Sequence, residues 1–197
     1  MYLRIFIVLT SIFCFFSLSA VADDSNTADN SNVLVLSLEN GDVVIRLRPD
    51  LAPKHVAQIK RLTKDGAYNN VVFHRVIPGF MAQTGDVEFG KKGSVNFDPK
   101  RVGTGGSKYP NISAEFSKQP FKRGTVGMAR AQDPNSANSQ FFICFNDAAF
   151  LNGQYTVVGE VIEGMDAVDK IKKGTTNNNG SVTNPDVINA ATLQVDR

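Results

Sequence analysis

The chain is poor in the residues that most enzymes use for metal or covalent chemistry. Its 197 residues include two histidines, His55 and His74, and two cysteines, Cys14 and Cys144. Cys14 falls in an N-terminal segment that reads as a cleaved signal peptide. Two histidines and one cysteine remain, too few to assemble the usual His/Cys metal sites, and no metal or cofactor is expected. No Gly-x-Ser-x-Gly elbow, Ser/His/acid pattern or P-loop is present, which removes the common nucleophilic and nucleotide-binding classes. Gly103-Thr104-Gly105-Gly106 lacks the strand–turn–helix context of a dinucleotide fingerprint and reads as a flexible loop. The formal net charge is only +2 and no basic run is long, so neither nucleic acid nor an acidic membrane is an expected partner.

The N-terminus carries an address. Arg4 is followed by an apolar stretch from Ile5 to Leu18 and then by Ala20-Val21-Ala22. This order reads as a secretory signal peptide over residues 1–22, cut after Ala22. An uncleaved anchor is the rival reading, since the apolar run approaches spanning length. The polar Asp23-Asp24-Ser25-Asn26 that follows favours cleavage, with no stable membrane association afterwards. Cys14 follows Ile-Phe rather than small residues, which argues against lipid attachment. Residues 23–32 read as a disordered leader and 33–197 as one domain. Past the cleavage point one cysteine remains, Cys144, so no internal disulfide can form. In the apolar run Phe141-Phe142-Ile143-Cys144-Phe145 it reads as a buried hydrophobe and not a nucleophile.

Hydrophobic periodicity sets out a mainly β fold. Val33–Leu38 and Val43–Leu47 flank Glu39-Asn40-Gly41-Asp42, a hairpin signal, and both runs are too apolar for a one-sided sheet. Further strands are predicted at Val71–Ile77, Phe80–Gln83, Thr125–Ala129, Gln140–Phe145, Val157–Ile162 and Thr192–Val195. Helices are predicted over Pro49–Gly66, with Pro53 near its first turn, and over Met165–Lys172. His55, on the first of these, has a solvated or packing role. Eight strands and two helices argue for a closed eight-stranded antiparallel β-barrel capped by two α-helices. The irregular stretch from Thr84 to Gly124 is longer than compact domains usually tolerate without a functional reason. Residues 177–181 read as a polar loop.

One stretch is unusual: Phe73-His74-Arg75-Val76-Ile77-Pro78-Gly79-Phe80-Met81-Ala82-Gln83. It places a permanent cation among apolar side chains around a Pro-Gly turn. Arg75 is either on the wet face of an ordinary strand or the cationic donor of an apolar binding wall. Phe80, Met81, Phe141, Phe142, Phe150 and Leu151 are either core or pocket, with Gln83 and Gln140 as nearby amides. Alternation sends Phe141 and Phe142 to opposite faces, so at most one of them lines a given pocket.

That stretch closely resembles the signature of cyclophilin-type peptidyl-prolyl isomerases. So do Gly127-Met128-Ala129-Arg130-Ala131, Asn138-Ser139-Gln140-Phe141-Phe142-Ile143 and Phe150-Leu151-Asn152-Gly153, in the family's order, with likeness from about Val33 to Val195. The resemblance implies the same eight-stranded barrel with two capping helices, and an enzyme that accelerates rotation about X-Pro bonds. By it, Arg75 matches the catalytic arginine. Phe80, Met81, Phe142 and Leu151 match the pocket for the proline ring. Gln83 and Gln140 match polar contacts to the peptide, and Ala129, Arg130 and Ala131 match the strand along which its backbone lies. Phe150 stands where a tryptophan often sits, and Tyr155 where a histidine often sits. The missing indole donor at Phe150 leaves cyclosporin binding weak, without implying a loss of isomerase activity. His74 is structural support, because the chemistry needs no base. With the signal peptide, the resemblance implies a bacterial exported form, periplasmic or secreted, monomeric, and acting on proline-containing peptides and unfolded exported proteins. A binder that grips proline segments without catalysis is the second reading, and an unrelated hydrolase a third.

Overall fold

Alternation along the first two strands defines the inside of the fold. In β1 (Val33–Leu38), Leu34, Leu36 and Leu38 join the main core, and in β2 (Gly41–Leu47), Val43, Ile45 and Leu47 do. The structure is a computed structural model describing residues 30–196; the expected signal peptide, and all of the expected leader before Asn30, lie outside the described residues. Asn30–Asn32, assigned to the leader by composition, form one 3-10 turn. The β1–β2 hairpin pairs Leu38 with Gly41, and the positive φ falls on Gly41 (123°).

The remaining strands are β3 (Val71–Val72), β4 (Arg75–Ile77), β5 (Met81–Thr84), β6 (Thr125–Met128), β7 (Phe141–Cys144), β8 (Val157–Glu163), β9 (Val187–Ile188) and β10 (Ala190–Leu193). Eight of them form one antiparallel sheet in the order β10-β1-β2-β8-β6-β7-β5-β4, and β3 pairs with β9. The fold is mainly β with two helices, as expected, but the sheet is curled rather than closed. Its edges β4 and β10 do not pair with each other. The free edge of β4 is taken by the chain between Gly174 and Ser181: Val76 N donates to Gly180 O (2.7 Å) and Gly174 N to Val76 O (2.9 Å). The run expected as one strand, Val71–Ile77, is two. Phe73 N still follows β9, donating to Asp186 O, whereas Arg75 has moved to β5 opposite Gln83. Two-residue β9 was invisible to periodicity, since no alternation can be read in so short a segment.

Helix α1 (Pro53–Lys64) buries His55, Val56, Ile59, Leu62 and Thr63. It starts four residues later than expected because Leu51 and Ala52 N–H groups turn back onto Arg48 O. No side chain of its own caps it. Glu115, sixty residues on, does so instead: its carboxylate accepts from Lys54 N (3.2 Å), His55 N (3.1 Å) and His55 Nδ1 (2.6 Å). Helix α2 (Met165–Lys170) is shorter than expected, since Ile171 leaves helical geometry at φ −53°, ψ 131°.

The stretch from Gly85 to Gly124 contains no helix or strand, and Asp86 organises it. This fully buried carboxylate accepts from Glu88 N (3.1 Å) and Phe89 N (2.9 Å) through Oδ1, and from Gly103 N (2.7 Å) and Gly105 N (3.0 Å) through Oδ2. Gly103–Gly106 is therefore a pinned cradle and not the flexible loop expected from composition. A side chain at Gly105 would place its Cβ 2.5 Å from Asp86 Oδ1. Asp86→Ala leaves these donors without an acceptor. It should lower stability by at least ~2 kcal/mol, about 4–8 °C in Tm for a chain of this size, which thermal unfolding followed by circular dichroism would measure.

Candidate active site

Arg75 projects from β4, half-buried, directly opposite Gln83 on β5. Its Nη1 donates to Gln83 Oε1 (3.1 Å) and lies 4.0 Å from Met81 Sδ. Gln83 Nε2 donates onward to Gln140 Oε1 (3.0 Å), and Gln140 Nε2 to the carbonyls of Gly103 (3.0 Å) and Gly105 (2.8 Å). The two amides thus link the guanidinium to the Asp86-pinned cradle. Burial lowers the guanidinium's proton affinity below its usual value, yet an arginine stays charged in any protein setting. Its hydrogen-bond partners are neutral, and no carboxylate pairs with it among the described residues.

Beside Arg75 opens a cleft of about 380 Å³. Phe80, Met81, Phe142, Phe150, Leu151 and Tyr155 supply most of its wall, with Gln83, Ala129, Arg130 and Gln154 around them. Phe142 is the floor: it stacks on Phe121 (centroids 5.8 Å apart) and meets the edge of Tyr155 (5.9 Å). Gly127 is needed beneath it, because a Cβ there would lie 2.5 Å from Phe142 Cζ. Phe141 turns the other way, edge-on to Tyr68 in the main core, as alternation required. Phe150 is exposed and leans on Phe80 (5.2 Å) to form one lip. Cys144 is buried behind Met81, and burial, aided by Asp147, pushes its thiol up to about 12. It is no nucleophile at neutral pH.

The twelve residues singled out in the sequence fall around two adjoining cavities. Ala131 and Gln140 line the second, of about 400 Å³, which shares Gln83, Ala129 and Arg130 with the first. Residues 129–131 lie just past β6, which stops at Met128. Arg130 folds back over the Tyr155 ring (4.5 Å) and donates through Nη1 and Nη2 to the carbonyls of Ala131, Gln132 and Gln154, while its Nε is buried without a partner among the described residues. Gln154 and Asn179 were missed. Gln154 sits in a turn with no pattern to flag it; Asn179, before Gly180, carried only a turn signal.

His74 sits against the back of the cradle, 6% exposed, with no well-formed hydrogen bond to either ring nitrogen. Desolvation dominates and pulls it down to about 4, only partly offset by Asp86 and by weak approaches of the Val72 backbone and the Gln140 side chain. His55 is also lowered by burial, against the pull of Glu115. A buried neutral histidine resists the proton that the unfolded chain accepts below about pH 6.5. Stability should therefore be complete above that pH and fall by about 3 kcal/mol for His74 between pH 6.5 and 4, with His55 adding in the same direction. Thermal unfolding across this range checks it, and His74→Gln should flatten part of the slope.

Residues 33–193 match the family described as cyclophilin type peptidyl-prolyl cis-trans isomerase/CLD. A probable peptidyl-prolyl cis-trans isomerase of Brucella suis is 67% identical over 172 residues, 87% of each chain. The crystal structure of cyclophilin AquaCyp293 from Hirschia baltica superposes with a TM-score of 0.71 at 26% identity, covering 86% of this chain and 76% of that one. A cyclophilin-type isomerase of Cryptosporidium parvum, crystallised in the presence of the dipeptide Ala-Pro, gives 0.68 at 25% identity, covering 82% and 98%. The chain belongs to the cyclophilin-type peptidyl-prolyl cis-trans isomerase family.

Proposed function

We propose that this isomerase acts on X-Pro bonds of exported polypeptides as they fold, with Arg75 as its catalytic group and the Phe80–Met81–Phe142–Leu151 cleft as the seat of the proline ring. One observation carries the role of Arg75: a permanent charge at the mouth of an apolar cleft, held by neutral amides and not by a carboxylate. An acid in that place would neutralise the charge. The amides fix its direction and leave the charge available.

The reaction makes and breaks no bond to carbon. Rotation about X-Pro is slow because it costs amide resonance, a barrier of about 20 kcal/mol. As the bond twists, the proline nitrogen becomes pyramidal and regains a lone pair. A guanidinium N–H aimed at that nitrogen binds the twisted state better than either planar one, which is the condition for acceleration. Nε and one N–H each of Nη1 and Nη2 are bonded to oxygen acceptors, and Met81 Sδ is a weak partner for Nη1. One N–H on Nη2 is left without an acceptor among the described residues, so the group can be positioned and still donate. The apolar wall holds the ring while the rest of the peptide turns, and it keeps out water that would weaken the donor.

Proline-containing peptides are the proposed substrates, entering over Ala129, Arg130 and Ala131 with Gln83 and Gln140 beside them. Weak cyclosporin binding is consistent with Phe150, whose ring has no N–H to offer in place of an indole. Export is supported by the order Arg4, Ile5–Leu18, Ala20-Val21-Ala22.

Arg75→Ala should lower kcat/KM about 10²–10³-fold, the usual cost of one preorganised donor, with Tm little changed. Magnetisation-exchange NMR on an X-Pro peptide reads this directly. An unchanged rate in Arg75→Ala would remove Arg75 from the catalysis, whereas equal exchange with and without the wild-type protein would leave a peptide-binding module. Separately, mass spectrometry of the exported protein should find a chain beginning at Asp23.

A further inference from the structure

The second half of the hold on Arg75 comes from a residue that lies far away in the chain. Asn179 uses two oxygens on one guanidinium: Arg75 Nε donates to its backbone O (3.0 Å) and Nη2 to its side-chain Oδ1 (3.0 Å). Gln83 holds the opposite corner through Nη1. Three bonds at three nitrogens of a planar group fix both its position and its plane, which one or two bonds cannot do.

Asn179 is itself held rigidly. It follows the 3-10 turn Thr176–Asn178 and takes the left-handed conformation (φ 50°, ψ 30°), which asparagine tolerates far better than most residues. The next residues are fastened to the outer edge of β4: Gly180 O accepts from Val76 N (2.7 Å), Ser181 bridges to Arg75, and Val182 N donates to His74 O (3.1 Å). Gly180 (φ 77°) has no room for a side chain, since a Cβ would lie 2.5 Å from Ile77 Cγ1. The segment that fills the free sheet edge is thus the segment that presents both oxygens. Asn179 does not line the proline cleft; it borders a smaller cavity on the other side of Arg75.

We infer that Asn179 is a positioning residue for isomerisation: its two oxygens aim the Arg75 guanidinium into the cleft. The inference rests on the catalytic role of Arg75. A group that sets the direction of a donor without touching the peptide affects the twisted state more than ground-state binding. Its loss therefore appears in kcat and leaves KM alone.

Asn179→Gly keeps the left-handed backbone and its carbonyl and removes Oδ1. It should lower kcat about tenfold, within the range that misplacement of a catalytic group costs, at unchanged KM and nearly unchanged Tm. The Arg75 Nε–H resonance should shift and broaden in ¹⁵N-labelled protein. In an Arg75→Ala background the same substitution should change nothing further. An unchanged kcat for Asn179→Gly, with Arg75→Ala impaired, overturns this inference alone. So does an equal further loss in the Arg75→Ala background, because Asn179 would then act without the guanidinium. Wild-type rates in Arg75→Ala would overturn the catalytic reading of Arg75 first and this inference with it.

Discussion

The site depends on holding a charge in place without neutralising it. A guanidinium at an apolar wall needs partners, since leaving it unpaired there is costly. A carboxylate would be the simplest partner and would neutralise the charge, which the proposed reaction needs free. Here the partners are the amide of Gln83 and the two oxygens of Asn179, and the amide of Gln83 is oriented in turn by Gln140. Gln140 draws its own orientation from the carbonyls of Gly103 and Gly105. Hydrogen bonds from the charged guanidinium are individually worth about 1.5–3 kcal/mol, and those between the neutral amides about 1 kcal/mol. Their value here is directional.

This requirement explains features that would otherwise look arbitrary. The long stretch between β5 and β6 would be poorly ordered if left to its composition. Buried Asp86 gathers four of its N–H groups and turns Gly103–Gly105 into the fixed end of the amide relay. The same stretch carries Glu115 back to the start of α1, where the helix has no cap of its own. At the other side of Arg75, the sheet stays open at β4. If β10 had closed onto β4, the 174–181 segment would have no edge to occupy and Asn179 could not reach the guanidinium. The absence of closure and the placing of the Arg75 guanidinium are one arrangement.

The cleft itself shows how much alternation settles. Phe141 and Phe142 go to opposite faces because successive strand residues must, one to Tyr68 in the main core and one to the floor of the cleft. Met81 and Cys144 face each other across β5 and β7, which makes the cysteine packing for the pocket wall and nothing more.

The sequence by itself determined the local and periodic features: the β1–β2 hairpin, the buried stripe of α1, and the opposed phenylalanines of β7. With the four family-like blocks it also indicated Arg75 and its apolar neighbours. These were legible because they depend on residues close in the chain or on fixed periods. Only the tertiary structure decided the split of Val71–Ile77, the two-residue β9, the Asp86 hub and the reach of Glu115 and Asn179 across the fold. Each of those rests on hydrogen bonds between a side chain and distant backbone, or on pairs too short to show a period. A polar residue in a loop carries no mark of which remote N–H or guanidinium it will meet. That information exists only once the sheet has curled and brought the 174–181 segment against β4.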